Sequence, residues 1–240
     1  MSDQAPLEIP LNEFYDQCTH EIIRRTIVPG TIGIDVGAHV GDMLRPMVEA
    51  APAERHIAIE PIPGLAAGLR EQFPTVDVHE VALAAQSGDD VQFHHVVSNP
   101  SYSGLKERRY DRPDEEVELI SVKTARLDDL VPDGTTVAMV KIDVEGGELG
   151  VLQGSPEILA SKPVVVFEHG LGASDHYGST PADLWAVFEP AGMVVSLLDA
   201  YLEGKPSLTL DEFTRQYEQG INYYFVAHAP PKRRWFRRRG

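Results

Sequence analysis

Residues 31–43 read TIGIDVGAHVGDM. A run of apolar and β-branched residues, broken by the carboxylate Asp35, passes straight into a bend with glycines at 37 and 41. Such a run is a short buried strand, and glycines directly after it let the chain turn back into a helix. Working outward, further apolar runs recur at 55–60, 76–82, 137–143, 163–168, 193–198 and 222–228. Amphipathic segments at 41–51, 63–73, 147–160 and 181–191 fall between most of them. This alternation is the pattern of βα units. It predicts an α/β fold, an open, doubly wound, mostly parallel seven-stranded sheet of Rossmann-like type with an antiparallel closing strand.

One interval breaks the alternation. VQFHHVV (91–97) and VELISVKT (117–124) are strand-like and are separated by a polar loop with no helix between them. They predict a β excursion over 88–124, near the sheet edge, whose loop reaches over the site. His94 and His95 within it are adjacent, face opposite sides of a strand and read as structural. A leading amphipathic segment, about 11–27, packs beside the sheet. A single domain over 1–230, with 1–28 as a helical extension, accounts for everything but a basic tail at 231–240.

Composition narrows the function classes. No stretch reaches the ~20 apolar residues of a spanning helix, and the opening MSDQAPLEIP lacks the basic start and apolar stretch of a signal peptide. A soluble, cytoplasmic protein is the expectation. Cys18 is the only cysteine, so no intrachain disulfide and no thiolate metal cluster can form. A net charge of −16 argues against a nucleic-acid partner. The tail PKRRWFRRRG runs against that charge. Its readings are a disordered segment in solvent, a segment folded back on an acidic patch, and a weak contact with anionic membranes. Both a monomer and an oligomer are compatible with the sequence.

The bend is not the G-x-G-x-x-G dinucleotide fingerprint, and no Gly-Lys-Ser/Thr follows it as in a P-loop. Asp35 and Asp42 flank it with negative charge, which repels phosphates. A ligand with a positive end that needs close backbone approach fits instead, and S-adenosylmethionine has an ammonium, a sulfonium and no phosphate. Glu60 ends the second strand candidate, where a carboxylate accepts both hydrogen bonds of a ribose diol.

Seven segments then match one family in order: IGIDVGAHVGD (32–42), IAIEPIP (57–63), VALAAQSGD (81–89), KTARLDDLV (123–131), VKIDVEGGELGVLQG (140–154), VVFEHG (165–170) and NYYFVAHA (222–229). In these the chain resembles the FkbM-type methyltransferases, S-adenosylmethionine-dependent O-methyltransferases of the class I fold. The resemblance covers roughly 30–230 and leaves the first ~25 residues and the tail outside its pattern. It implies that Asp35, Gly37 and Gly41 line the methionine end, that His39 covers it, and that Glu60 holds the ribose. Glu80, Val81 and Ala82 would lie against the adenine, and Ser101 or Ser103 would reach the cofactor carboxylate.

Methyl transfer to a hydroxyl needs alignment and a proton acceptor. Asp143 and Glu145 end one strand candidate, and Glu168 and His169 end the next, so all four are the candidate catalytic groups. Two mechanisms fit. In one, Asp143 or His169 removes the proton while Glu145 and Glu168 orient the base or bind acceptor hydroxyls. In the other, a divalent cation such as magnesium sits among Asp143, Glu168 and His169 and acidifies the hydroxyl. The expected partner is a small-molecule hydroxyl acceptor, a sugar or natural product. N- or carboxyl-methylation and a non-catalytic scaffold are the alternatives.

Overall fold

The computed structural model of the protein describes residues 9–108 and 114–231. The basic tail from 232 onward lies outside them, and with it the expectations of disorder and of a membrane contact. No helix among the described residues is long and apolar enough to cross a membrane.

In chain order, α1 (Leu11–Thr26) leads to β1 (Ile32–Val36), α2 (Leu44–Ala50), β2 (Ile57–Ile59), α3 (Pro63–Gln72) and β3 (Asp77–His79). The excursion follows as β4 (Ala82–Leu83), β5 (Gly88–Val96) and β6 (Val117–Ala125). Then come β7 (Val137–Ile142), α4 (Glu148–Gln153), α5 (Pro156–Ala160), β8 (Val164–Glu168), α6 (Ser174–Tyr177) and α7 (Pro181–Phe188). The chain closes with β9 (Val194–Ser196), α8 (Leu198–Leu202), α9 (Leu210–Glu218) and β10 (Tyr224–His228).

The main sheet has seven strands in the order β3-β2-β1-β7-β8-β10-β9. Its strands run parallel except β10, which is antiparallel to both β8 and β9. The expected doubly wound, mostly parallel sheet with an antiparallel closing strand is therefore present. Chain order reverses between β1 and β7, the kind of switch point beyond which ligands bind in open α/β sheets.

Two local expectations change. The strand expected over 76–82 divides: β3 stays in the main sheet, while Ala82 and Leu83 pair with β6 in a separate three-stranded sheet, β4-β6-β5. The helix expected over 147–160 breaks into α4 and α5 around Gly154, and Pro156, which has no N–H to give, opens the second piece. The closing strands β9 and β10 are neighbours, but α8 and α9 lie between them in sequence. Helix α9 begins with a reciprocal Thr209–Glu212 capping box, a signal present in the sequence as TLDE.

Apolar layers cover both faces of the main sheet. On one, Ile32, Ile34 and Val36 of β1 pack with Phe167, Phe213 and Phe225. On the other, Ile22 and Ile23 of α1 pack with Met47, Met139 and Val166. Cys18 is buried there, as expected of a thiol on the first helix.

Where α2 hands over to β2, buried His56 bridges two backbones. Its Nδ1 accepts from the Gly33 N–H at 2.9 Å, and its Nε2 faces the Ala51 carbonyl at 3.0 Å. With those partners the ring is neutral, with its proton on Nε2. Burial lowers its pKa, although both backbone bonds act to raise it. The unfolded chain therefore binds the proton more readily, so this contribution to stability is complete above about pH 6.5 and is lost as the pH falls below it. His56→Gln is expected to cost about 1–3 kcal/mol at pH 7.5, and urea denaturation should show a smaller cost at pH 5.5. An equal cost at both pH values would remove the role assigned to the neutral ring.

Candidate active site

A cavity of about 670 Å³ opens at the carboxyl ends of β1, β2, β7 and β8. Its floor depends on one close approach. Gly37 has φ +78°, and a Cβ there would lie 1.9 Å from the Asp143 carbonyl oxygen. Only glycine lets the end of β1 lie against the end of β7, where the Asp143 N–H also donates to the Val36 carbonyl at 3.0 Å.

Across this joint lies a buried cation. Lys141 Nζ is 3.5 Å from Asp35 Oδ1 and 3.4 Å from Asp143 Oδ2, and it donates to the Gly37 carbonyl at 3.3 Å. Burial opposes its charge, but the Asp143 and Asp35 carboxylates outweigh that and raise its pKa. Asp35 is pushed up to about 6, chiefly by burial and in spite of Lys141. Asp35 Oδ2 makes no hydrogen bond with a described residue. Burial also acts to raise Asp143, yet the Lys141 charge and the Tyr224 hydroxyl, which donates to Asp143 Oδ2 at 2.6 Å, hold it below the usual range. Its neighbour Glu168 goes the other way, raised well above the ordinary value by burial and then by the Asp143 and Glu148 charges. Within the Asp143–Glu168 pair, Asp143 is thus the group pushed toward its ionised form and Glu168 the one pushed toward its protonated form.

The second strand end supplies Glu60, which is buried. Its Oε2 accepts from the His39 N–H and its Oε1 from the Ile62 N–H, both at 2.9 Å. Burial pushes it up to about 7. Beyond it, Ile62, Val81, Leu83 and Phe93 give the cavity an apolar end. The excursion reaches over the opening. Arg108 pairs with Glu145 and stacks over the Tyr102 ring, 4.7 Å from its centroid, while the Lys106 N–H donates to the Tyr177 hydroxyl at 3.0 Å.

The loop from 143 to 147 that presents Asp143 and Glu145 is held from below by Glu148. Its buried Oε1 accepts from the Val144 and Gly146 N–H groups, both at 3.1 Å. This support matters because Glu145 adopts φ +58° and Gly146 φ +105°. A Cβ at Gly146 would meet the Ala173 carbonyl at 2.6 Å. Burial pushes Glu148 up to about 7.

Of the residues singled out in the sequence, Asp35, Gly37, His39, Glu60, Val81, Ala82, Ser101, Ser103, Asp143, Glu145 and Glu168 line this cavity. Ser103 already uses its Oγ to accept from the Val96 N–H at 3.0 Å. Three residues lie elsewhere. Glu80 turns outward to Arg70, 3.0 Å away. Gly41 closes the bend by donating its N–H to the Ala38 carbonyl at 2.7 Å and sits against Phe73 instead of the cavity. His169 follows Glu168 directly at the end of β8, so it points to the opposite side. Its ring is fully buried and stacked on Tyr217 with centroids 4.6 Å apart, and burial pushes its pKa down to about 4. It is neither a base for this cavity nor a partner of Asp143 and Glu168 in a metal site.

The carboxylates that do converge are Asp143, Glu145 and Glu168, with oxygens within 4.8 Å of one another. Lys141 meets the charge of Asp143, and Arg108 meets that of Glu145. With two of its three carboxylates already paired with side-chain cations, this donor set does not fit a divalent cation.

Lys141, Glu148 and Tyr224 were not singled out from the sequence. Period-2 alternation puts Lys141 on the same face as Asp143, so that signal was present. Tyr224 lies far along the chain and gives no local signal. The donor set fits S-adenosylmethionine: an orphaned buried carboxylate oxygen for positive charge, a strand-end glutamate for a diol and an apolar slot for a flat ring.

The methyltransferase FkbM domain profile matches residues 35–195. No curated protein matches the chain in sequence. Among solved structures, a TehB-like SAM-dependent methyltransferase from Corynebacterium glutamicum is similar at 13% identity and TM-score 0.43, over 88% of this chain and 86% of that one. A precorrin-6y C5,15-methyltransferase from Geobacter metallireducens shares 16% identity at TM-score 0.45, over 81% and 77%. The plantazolicin methyltransferase BpumL, solved with SAH, shares 10% at TM-score 0.44, over 93% and 86%.

The role given to Glu148 can be checked by stability. Glu148→Ala leaves two backbone N–H groups without their acceptor and is expected to cost about 2–4 kcal/mol in urea denaturation. Glu148→Gln keeps the accepting oxygen and should cost less than about 1 kcal/mol. Equal losses would mean that the two bonds do not support the loop.

Proposed function

The chain belongs to the methyltransferase FkbM domain family, and from that premise we propose that it moves the methyl group of S-adenosylmethionine to a hydroxyl of a small polyol, a sugar or glycosylated metabolite. The observation behind this reading is the setting of Asp143: a carboxylate lining the cavity, 3.4 Å from Lys141 Nζ and accepting a 2.6 Å hydrogen bond from the Tyr224 hydroxyl, with Glu168 beside it. S-adenosylmethionine, when bound, supplies a methyl carbon already activated by a positive sulfonium. The chain's own residues do the rest. Asp35 faces positive charge, and Glu60 accepts hydrogen bonds from the ribose diol. As the acceptor oxygen is alkylated it must shed its proton, and Asp143 receives it; assistance of this kind is worth ~10²–10⁴-fold. Glu168, whose carboxyl is hydrogen-bonded to Asp143, limits repulsion beside it.

The acceptor class follows from the walls. Six tyrosines line the cavity, at 15, 102, 177, 217, 223 and 224. Phenol hydroxyls with carboxylates match the hydroxyls of a polyol, and ring faces match the C–H faces of a sugar.

The deciding experiment is calorimetric titration with S-adenosylmethionine and, separately, with a reduced nicotinamide cofactor. Binding of the first alone is expected, and binding of the second alone would overturn the reading. Asp143→Asn should then lower turnover of a polyol acceptor by ~10²–10⁴-fold while affinity for S-adenosylmethionine changes less than about threefold. Full activity in that variant would remove Asp143 as the proton acceptor.

Affinity should also depend on pH. Asp35, at about 6, and Glu60, at about 7, must be ionised to face positive charge and to accept from a diol. Titrations at pH 6 and pH 7.5 are therefore expected to show tighter binding at the higher value, and a flat or reversed dependence would contradict these two roles.

A further inference from the structure

One tyrosine joins the roof of the cavity to its floor. Tyr177 of α6 sits where three glycines leave room for it: a Cβ would lie 3.1 Å from its hydroxyl at Gly104, 2.7 Å from its ring at Gly146 and 3.6 Å from its ring at Gly147. Gly104 belongs to the excursion, and Gly146 and Gly147 belong to the turn that presents Glu145. The Tyr177 hydroxyl accepts from the Lys106 N–H, and Lys106 Nζ lies 5.1 Å from the centre of the ring. At its base the same stretch of the excursion is tied to β5, where His94 and Gly104 exchange backbone hydrogen bonds at 2.8 and 3.1 Å.

This packing delivers Arg108 to Glu145. The two form an ion pair, the guanidinium is held over the Tyr102 ring, and all three residues line the cavity. Both charged side chains are largely buried, and Arg108 Nε makes no hydrogen bond with a described residue. A buried donor left unused is costly, and the cost is relieved by a group that accepts from it. A hydroxyl suits the pair as a whole, because it accepts from a guanidinium N–H while donating to a carboxylate. The place is next to the chemistry: Glu145 offers an oxygen within 4.8 Å of oxygens of Asp143 and Glu168. Hydroxyls on adjacent ring carbons bridge such a gap, one at Asp143 and the next at the pair, whereas a lone hydroxyl fills only one end.

We infer that Arg108 and Glu145 form an acceptor-binding subsite for the hydroxyl adjacent to the one that is methylated, so that the acceptor is a vicinal diol. The inference rests on the methyl-transfer reading and narrows its acceptor class. Neither residue moves the proton. Arg108 donates to the neighbouring oxygen, Glu145 accepts from it, and together they set which hydroxyl of a polyol lies at Asp143.

Three small probes test this. Cyclohexane-1,2-diol has adjacent hydroxyls, cyclohexane-1,4-diol has two that are not adjacent, and cyclohexanol has one. Ligand-observed NMR titrations of the full chain saturated with S-adenosylhomocysteine are expected to show the 1,2-diol binding roughly tenfold tighter than the other two. In Arg108→Gln and in Glu145→Gln, measured separately, that preference should fall below about threefold, a change in ratio that general loosening of the cavity would not produce. Equal affinity for the three probes in the unaltered protein would overturn the inference, and so would a preference that survives both substitutions. Binding of none of the probes to a protein that holds S-adenosylhomocysteine would overturn it as well. If the unaltered protein did not bind S-adenosylhomocysteine, the methyl-transfer reading itself would fail and take the subsite with it, a result distinct from the others.

Discussion

The site is organised around one buried ammonium. Lys141 sits at the joint of β1 and β7 within 3.5 Å of two carboxylates on neighbouring strand ends, Asp35 and Asp143. Burying these charges is costly unless they are paired and hydrogen-bonded. Lys141 pairs with both acids, and the Gly37 carbonyl takes a further hydrogen bond from it. Two carboxylates to one cation leave a surplus of negative charge beside the cavity. Tyr224 spreads part of it by donating to Asp143, and burial together with the Asp143 charge disfavours a further charge on Glu168. The ends of β1 and β7 thus share one electrostatic balance, with Asp35 on one side of the lysine and Asp143 on the other.

That balance requires the backbone at both strand ends to be fixed. Gly37 allows β1 and β7 to approach, and Glu148 ties down the strained turn that carries Glu145 and Gly146. Away from the site, Asp128 performs a similar service. Its carboxylate accepts from the Glu157 and Ile158 N–H groups at 3.0 and 3.1 Å and satisfies the start of α5. The LDD of residues 127–129 is therefore explained by backbone support and not by chemistry.

The walls come from further away. The excursion supplies Arg108 and Tyr102, α6 supplies Tyr177, and both chain ends supply the face formed by α1 and the start of β10. The family profile covers the strands that hold the charged centre but not α1 or β10. The matched stretch thus includes Asp35, Lys141, Asp143, Glu168 and the Tyr102, Arg108 and Tyr177 walls, while Tyr224 and the face formed by α1 lie outside it.

The sequence by itself determined the alternating strands and helices, the glycine bend at 37 and the acids at strand ends 35, 60, 143 and 168. These are local patterns: apolar periodicity fixes the elements, and a doubly wound sheet brings its strand ends to one edge. The orientation of His169 was also legible, since alternation sends it away from the side that Glu168 faces. Only the tertiary structure decided the rest. Glu80 leaves the site because Arg70 of α3 is within reach of it. Asp143 is held below the carboxylate range and Glu168 raised above it because Lys141 and Tyr224 lie beside the first, while burial and then the Asp143 and Glu148 charges act on the second. Tyr15 meets Asn222 across 207 positions of chain. Burial and charge pairing are properties of neighbours in space, and no local pattern encodes which distant side chain will become a neighbour.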